Sequence, residues 1–467
     1  MNVRHTLYQT IPPLALSLGA TSVTLVAGID SAWGQMARFK PIPTQHRHSI
    51  SQTQRESQSA AQPAIPSHSA ADLNAPNLEI RSAPVGDAQP ETDFDLTVGP
   101  GQNHDIFPSR IDTETEELEF TVIPLPQYNS EKGYYGTLDF VLSNIGDNKQ
   151  ILELDLEGGQ QTLGAEFRYT DPWAENEPFD TGFQIRLFNT RWPEDVFTNG
   201  DREVELIHDQ IPWVDRLGGG IELFQPVTAT GLTISAGASY QRVAIRNAAV
   251  TDDVFSEDQF GNSLTFSDKG IDTLVTVNLS AFQDQRDDPW WPTQGYRFNV
   301  GTEQSIPVGS GDILFNRLTA SFTQFVPVSS QTFVFNVQGG TTIGDLPPYE
   351  AFNLGGNDSV RGYEGGGVGS ARSFVQATAE YRFPIIDDLQ LPLVSRLGGT
   401  VFVDYASDLG SGDTVRGEPA EVRNKPGNGF GVGVGVRILT DFGPLRVEAA
   451  INDEQDIRGI FKLGERF

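Results

Sequence analysis

The segment GGNDSVRGYEGGG, residues 355–367, places a single arginine, Arg361, among glycines. A helix is disfavoured there, because each glycine in a helix costs about 1 kcal/mol relative to alanine. A guanidinium group presents a planar fork of donors that binds a carboxylate through two parallel hydrogen bonds. The chemistry available to the segment is therefore non-covalent recognition of a carboxylate. The residues that form the loop motif around the arginine are Gly355, Gly356, Val360, Gly362 and Tyr363.

Two carboxylates further along the chain are candidate partners of Arg361. In the run GGTVFVDYA, residues 398–406, the valines and Tyr405 fall on one face of a strand and Asp404 falls on the other. The same alternation places Glu380 on the polar face of the preceding run. A carboxylate inside a protein needs a charged or hydrogen-bonding partner. We therefore predict that an inward-folded loop brings Arg361 to these carboxylates.

The run GFGVGVGVR, residues 429–437, alternates glycine with apolar residues. All its glycines share one face of a strand, and that face leaves room for another segment to lie against it. A phosphate-binding G-x-G-x-x-G loop does not fit, because no helix follows and the glycines keep strict strand alternation. The predicted lumen-face glycines are Gly429, Gly431, Gly433 and Gly435.

Residue types that support catalysis or metal binding are scarce. The chain has no cysteine, which excludes thiol catalysis, disulfides and Cys-ligated zinc. Of the six histidines, five precede residue 105, and we interpret His46 and His48 as incidental residues of a flexible tail. The sixth, His208, has no Ser/His/Asp set visible around it. The sequence predicts no catalytic residue, no cofactor and no metal site.

The elements that position the arginine and the carboxylates are predicted to be β-strands. From about residue 118 onward, apolar and polar residues alternate in runs of about ten, as in LTISAGASY (232–240) and TLVTVNLSAF (273–282). We count about sixteen such runs, separated by alternately short and long connections. This pattern predicts an all-β fold, a transmembrane antiparallel β-barrel of about 16 strands that spans residues 118–467.

Two other all-β architectures fit less well. A soluble sandwich would use shorter strands and a dry core, which could not accept the charges on the polar face unpaired. A propeller would show a fixed repeat in the sequence, and none is visible. The charged residues assigned to the interior face are Arg317, Glu380, Asp404, Arg446 and Glu448.

The first quarter of the chain has a different composition. Residues 1–34 hold an apolar run that ends in small residues, which predicts a secretory signal peptide. Residues 35–117 are rich in Gln, Ser, Pro and Ala, which predicts a low-complexity, disordered region. The whole chain has 62 acidic against 32 basic residues, and its net charge of -30 argues against a nucleic-acid partner.

The motifs of the second half resemble those of the BamA/TamA superfamily of outer-membrane barrels, the bacterial surface antigen family. Residues 360–363, VRGY, resemble the VRGF/Y signature of the sixth extracellular loop, and residues 402–406 resemble the F-x-D-x-G strand motif. Residues 286–298 are similar to a segment in which Arg-Asp precedes P-x-x-G-x-x-F. The stretches 168–173 and 215–227 are most similar to cyanobacterial members.

This resemblance implies a structure and a function. In the family, the loop folds into the lumen and its arginine, here Arg361, pairs with the strand aspartate, here Asp404, beside a glutamate at the position of Glu380. The resemblance implies insertion, assembly or translocation of outer-membrane proteins in a Gram-negative-type outer membrane, with outer-membrane lipid and polypeptide substrates as partners. Members usually carry periplasmic POTRA modules, and none is visible before residue 118, so a separate POTRA-bearing partner is expected. The alternative is a passive pore or a structural barrel derived from the family.

The two ends of the predicted barrel are expected to meet weakly. Pro124 and Pro126 remove two ladder donors from the first strand. The last run contains Glu465 where an apolar, lipid-facing residue is expected. A weak seam is what a lateral gate requires, and a barrel that does not gate could also have one.

Overall fold

The computed structural model describes residues 118–467 except for short gaps. These gaps are 130–131, 147–149, 173–180, 208–209, 228–230, 309–311, 390, 392 and 441–442. The predicted signal peptide, the predicted low-complexity region and His208 all lie outside the described residues. Among the residues that are described, no helix is both long and apolar enough to cross a membrane.

Sixteen antiparallel strands form one sheet, in which each strand pairs with its neighbours along the chain. They are β1 (Glu119–Asn129), β2 (Gly133–Ile145), β3 (Gln150–Gly159), β4 (Leu163–Asp171), β5 (Gly182–Trp192), β6 (Trp213–Val227), β7 (Leu232–Arg246), β8 (Ile271–Asp284), β9 (Gly295–Ser305), β10 (Phe315–Val328), β11 (Gln331–Gly344), β14 (Ser373–Ile386), β15 (Val394–Ser407), β16 (Asn428–Thr440), β17 (Gly443–Asn452) and β18 (Ile457–Leu463). Two short strands, β12 (Phe352–Leu354) and β13 (Gly369–Ala371), pair only with each other. The prediction of an antiparallel barrel of about sixteen strands is confirmed.

Side chains alternate between an apolar outward face and a polar inward face. In β16, Phe430, Val432 and Val434 are exposed, whereas the glycines between them are buried or half-buried. On the inward face, Arg317, Arg446 and similar charged side chains are almost fully buried. This distribution is the reverse of a soluble core, and it fits a barrel that has lipid outside and polar groups inside.

The four longest connections lie at one end of the barrel. They follow β5, β7, β11 and β15, which all run in the same direction because an odd number of antiparallel sheet strands lies between each two of them. The short connections after β6, β10 and β16 lie at the opposite end. The long connections are residues 193–212, 247–270, 345–372 and 408–427.

Three of these connections, 193–212, 247–270 and 408–427, form what we call the cap. Their apolar side chains pack with inward-facing residues of the strands in one buried cluster, whose members include Phe197, Leu206, Val243, Ile245, Leu264, Phe315, Tyr349 and Val415. The cap contains two 3-10 helices (Asp195–Phe197 and Gly412–Thr414) and a one-turn helix α1 (Pro419–Val422), and a further 3-10 helix (Pro348–Glu350) follows β11. The long connections therefore cover one end of the lumen.

Buried ion pairs tie the cap to the barrel wall. Arg216 of β6 contacts Glu194 at 2.6 Å and Glu350 at 2.7 Å, and Arg317 of β10 contacts Glu350 at 2.9 Å. Burial raises the pKa of Glu194 to about 7, although Arg216 beside it acts in the opposite direction. These contacts join the connections 193–212 and 345–372 and the strands β6 and β10 into one network.

The sheet begins at β1 and ends at β18, and no ladder joins these two strands among the described residues. The β1–β2 ladder runs through the positions of Pro124 and Pro126, neither of which has an N–H to donate. On the other side, β18 pairs with β17 from Ile451 opposite Ile457 to Leu445 opposite Leu463. Within the described residues, the outer edges of β1 and β18 thus have no ladder partner.

We predict that the lipid-facing surface rejects charge in a depth-dependent way. Val434 lies at the middle of β16 and is 58 % exposed, so Val434→Lys is expected to destabilise the barrel by about 2–4 kcal/mol in lipid. The matched control is Asn428→Lys, outward-facing at the end of the same strand, with an expected cost of about 0–1 kcal/mol. Urea unfolding in lipid vesicles measures both, and equal costs would contradict the assignment of this face to lipid.

Candidate functional site

The residues 345–372, which we call the lumen loop, leave the sheet after β11 and return to it at β14. The pairing of β12 with β13 holds the two ends of the motif segment together. Gly355, Gly356 and Gly362 have φ angles of 109°, 93° and 104°, a region that residues with a Cβ rarely adopt. A Cβ at Gly355 would also lie 2.7 Å from the carbonyl oxygen of Glu364. The glycines of the motif are therefore required by the tight path of the loop.

Arg361 lies inside the barrel with none of its surface exposed. Its Nε donates to Asp404 Oδ2 at 2.7 Å and its Nη2 donates to Asp404 Oδ1 at 3.0 Å, which is the bidentate geometry expected for this pair. The backbone N–H of Arg361 donates to the same carboxylate at 3.2 Å. Three donors of one residue thus bind Asp404, which is itself fully buried.

Two further carboxylates complete the shell of Arg361. Glu380 Oε1 lies 2.8 Å from Nη2, and Glu448 Oε2 of β17 accepts a hydrogen bond from Nη1 at 3.2 Å. The guanidinium carbon lies 3.2 Å from the ring centre of Phe402, so the aromatic face also contacts the cation. We call Arg361, Asp404, Glu380 and Glu448 the lock.

The sequence indicated Asp404 and Glu380 as partners but did not indicate Glu448. Glu448 was assigned to the interior face by alternation, yet its contact with Arg361 depends on how β17 curves around the loop. Burial by itself lowers the pKa of Arg361, but Glu380 and Asp404 outweigh it and raise the pKa above its ordinary value. The arginine therefore keeps its charge inside the lumen.

The glycine face of β16 lies where the loop and the barrel wall come closest. A Cβ at Gly431 would overlap the carbonyl oxygen of Arg361, and one at Gly429 would lie 2.8 Å from the ring of Tyr363. At Gly433 and Gly435 the added atom would instead meet side chains of the neighbouring strands, Phe402 and Glu448. The sequence predicted that this face leaves room for a segment. In the structure, the lumen loop fills that room at Gly429 and Gly431, and the side chains of Phe402 and Glu448 fill it at Gly433 and Gly435.

Apolar contacts seat the rest of the motif. Val360 and Tyr363 belong to a buried cluster that also contains Leu354, Val368 and Ala406. Tyr363 Oη donates to Asp453 Oδ1 at 2.6 Å, in the connection between β17 and β18. The motif residues thus hold the loop by packing while Arg361 holds it by charge.

The expectation that Glu465 faces lipid is wrong. The chain leaves the sheet after Leu463 and turns at Gly464, whose φ is 105°, so Glu465 points inward with its side chain only 4 % exposed. Glu465 pairs there with Arg382 at 2.9 Å and with Arg437. Alternation along β18 could not foresee this, because the alternation stops where the strand stops.

The terminal strand and the residues after it hold the lumen loop at three places. Arg458 contacts Glu364 at 2.7 Å and Lys462 contacts Asp358 at 2.6 Å. Arg466 Nη2 donates to the carbonyl oxygen of Ser359 at 2.6 Å. Arg466 also contacts Asp404 at 3.0 Å. The loop is therefore bonded both to strands β14, β15 and β17 and to the last strand with the residues after it.

The arrangement is suited to binding and positioning. In the part of the chain that the structure describes, no three acidic or histidine side chains are grouped closely enough to hold a metal ion. Every charged member of the lock is bound to another member, so the site fixes one segment of the chain against others.

Comparison with known proteins places this geometry among related barrels. Residues 144–467 match the Omp85 superfamily domain. The chain is 33 % identical to outer envelope protein 80, chloroplastic, of Arabidopsis thaliana, over 72 % of this chain and 43 % of that protein. It is 27 % identical to protein TOC75, chloroplastic, of Pisum sativum, over 66 % of this chain and 39 % of that protein. The chain thus spans less than half the length of these two relatives.

A solved structure shares the fold. BamA from Haemophilus ducreyi, lacking POTRA domains 1-3, superimposes with a TM-score of 0.54 at 14 % identity, covering 74 % of this chain and 75 % of that one. At this identity the likeness concerns the fold alone. It agrees with the sixteen antiparallel strands described above.

We predict that Arg361→Ala destabilises the barrel and releases the lumen loop. The change removes the cation that contacts Asp404, Glu380 and Glu448 together, while Arg466 still contacts Asp404 and Arg382 still contacts Glu380. The expected cost is therefore below the roughly 3–5 kcal/mol that is typical of a buried ion pair broken on one side. Heat modifiability on gels and protease resistance of the loop measure the effect. Arg202→Ala, an exposed position in the cap, is the control. Unchanged protease resistance in Arg361→Ala would show that the lock does not hold the loop.

We also predict that a single methyl group on β16 displaces the loop. Gly431→Ala places a Cβ against the Arg361 carbonyl, and overpacking of this kind typically costs about 1–3 kcal/mol. Gly459→Ala in β18 is the matched control, because no atom lies within 4 Å of the added Cβ. Equal melting behaviour of the two variants would contradict the close approach.

Proposed function

Because the chain belongs to the Omp85 superfamily, we propose that its barrel inserts polypeptides into an outer membrane or translocates them across it. The membrane that we propose is the outer membrane of a Gram-negative-type bacterium. The names of the relatives as outer envelope proteins support an outer-membrane location. The observation that carries the mechanism is the pair of unjoined edges, β1 and β18, within the described sheet.

The proposed mechanism exchanges backbone hydrogen bonds at the seam. An edge strand presents unpaired N–H and C=O groups that can pair with an incoming strand. In lipid, an unsatisfied backbone group costs several kcal/mol, so an open seam strongly favours any strand that pairs with it. The substrate would be a polypeptide in extended conformation. No covalent bond is made or broken in this exchange.

The lock supports this mechanism by keeping the rest of the wall rigid. Arg361 joins strands β14, β15 and β17 through Glu380, Asp404 and Glu448. Ion pairs from β18 to the lumen loop at Asp358 and Glu364 hold the last strand by side chains. The last strand can therefore change its edge pairing while it stays attached to the loop.

Two further parts of the proposal concern partners. We propose that a separate POTRA-bearing protein recruits substrates, and that the barrel has no enzymatic activity of its own and no nucleic-acid partner. Support for the latter comes from the net charge of -30, which repels phosphates. Surrounding lipid is the remaining partner, in contact with the exposed apolar face.

The alternative function is a passive pore or a structural barrel. The cap covers one end of the lumen and the lumen loop is buried inside the barrel, which disfavours a wide, permanently open channel. A large steady current through the purified chain, combined with normal levels of outer-membrane proteins after its depletion, would favour the pore.

We predict that a covalent bond across the seam abolishes the activity. The chain has no cysteine, so pairs can be introduced without background, one at Phe120 in β1 and the other scanned along β18 from Ile457 to Leu463. Oxidation of a pair that crosslinks should stop outer-membrane protein assembly, and reduction should restore it.

The control crosslink lies one ladder away. Val447 of β17 and Phe461 of β18 are direct partners, so a disulfide between cysteines at these positions joins strands that are already paired. This crosslink should leave assembly unchanged. Normal assembly with a fully oxidised seam would rule out the proposed opening.

A further inference from the structure

Charged side chains are rare on the outward face of the barrel and are concentrated in one place. In the described sheet strands, strand register puts five charged residues outward, and Asp171 at the short-connection end of β4 is one of them. The other four cluster at the long-connection end of β5, β6 and β7. They are Arg191, Asp215, Arg242 and Arg246.

We call these four residues the outer arginine patch. Arg191 Nε donates to Asp215 Oδ1 at 2.9 Å, and Arg246 Nε donates to Asp215 Oδ2 at 2.5 Å. The Nη1 groups of the same arginines donate to the carbonyl oxygens of Ala249 and Thr251, each at 2.9 Å. One carboxylate and two carbonyls thus hold two of the arginines in place. The patch keeps an excess of positive charge, because three arginines face one aspartate.

Arg242 is the member that is not held. It is half-buried and makes no ion pair with the described residues. Arg242 is paired with Leu217 of β6. This pair lies two residues further from the barrel rim than the pair formed by Asp215 and Ala244. At about 3.3 Å per residue, Arg242 is roughly 13 Å along β7 from Arg246. Its long side chain can therefore extend towards the rim and direct its charge to the level of lipid headgroups.

The apolar belt begins directly beside the patch. Leu217 is 48 % exposed, and in the next row down Leu187 and Tyr240 are 55 % and 52 % exposed. Exposed apolar side chains at this level face acyl chains, and aromatic residues such as Tyr240 are typical of the membrane interface. The patch is thus located where the phosphate of a lipid would lie.

We propose that the outer arginine patch binds the phosphate group of an anionic membrane lipid. Arg242 and the remaining donors of Arg191, whose side chain is 22 % exposed, supply the accessible positive charge, and Leu187 and Tyr240 contact the acyl chains. Arg246 is buried and holds Asp215 in place. The fixed position of Arg191 favours a phosphate, since a guanidinium fork fits phosphate oxygens bidentately. This binding is independent of substrate insertion at the seam.

The patch would also connect the lipid with the cap. Arg191 and Arg246 hold the connection 247–270 through the carbonyls of Ala249 and Thr251. A lipid phosphate that binds Arg242 and Arg191 would fix this sector of the barrel at one depth in the membrane. The cap connection would be fixed with it.

Native mass spectrometry of the full chain in neutral detergent tests the proposal. Phosphatidylglycerol, phosphatidylcholine and inorganic phosphate are titrated separately, at low and high salt. The expected result is a preference for phosphatidylglycerol that weakens with salt. In Arg242→Gln, the affinity for phosphatidylglycerol should fall about fivefold, as expected for one basic residue at a membrane surface.

Matched variants separate the patch from unspecific charge. Arg396→Gln removes an exposed arginine near the opposite end of the barrel and should leave phosphatidylglycerol binding unchanged. Arg242→Lys keeps the positive charge that attracts an anionic headgroup and should retain most of the binding. Heat modifiability confirms that each variant is folded.

Several outcomes would overturn the proposal. One is unchanged phosphatidylglycerol binding in folded Arg242→Gln. Another is equal binding of phosphatidylcholine and phosphatidylglycerol by the unmodified chain, a comparison that needs no variant to fold. Binding of inorganic phosphate that depends on Arg242, without any such dependence for the lipid, would assign the patch to a free ion and overturn the lipid assignment.

Discussion

The structure depends on one buried cation. Arg361 is brought into the lumen by a loop and bonds to carboxylates on three different strands, so its removal would leave several buried negative charges close together. A buried ion pair is not by itself evidence of a large net stability, because desolvation opposes the attraction. What the pair gives here is specificity. In the observed path of the lumen loop, one guanidinium group contacts Asp404, Glu380 and Glu448 together, and these contacts favour that path.

Glycine makes this close approach possible. The loop can lie against β16 because Gly429 and Gly431 present no side chain towards it, and the loop can turn because Gly355, Gly356 and Gly362 adopt positive φ angles. Several glycines in one strand ordinarily destabilise a sheet, because glycine has no side chain that can pack against neighbouring residues. The loop fills the vacant space, and thus the strand and the loop stabilise each other. Without the loop, the inward face of β16 would leave a gap at Gly429 and Gly431, and without these glycines the loop would have no space to lie against the strand.

The crosslinked strands lie next to one of the free edges. Strands β14, β15 and β17 are crosslinked through Arg361, whereas β1 and β18 have no ladder between them among the described residues. The last strand occupies both regions, because its backbone pairs with β17 while Arg458 and Lys462 bond to the lumen loop. This distribution of strong and weak contacts agrees with a wall that opens only at the seam.

The sequence alone determined the sheet and the faces of its strands. Period-two alternation depends on residues that are neighbours in the chain, and so the sixteen strands, the inward position of Asp404 and Glu380 and the glycine face of β16 could all be predicted. The resemblance of the VRGY motif to the family's loop signature further predicted that Arg361 pairs with Asp404. Only the tertiary structure decided that Glu448 joins the lock and that Glu465 turns inward to Arg382 and Arg437. Both depend on where a strand curves or ends, and those positions are set by contacts between residues far apart in the chain, which alternation does not record.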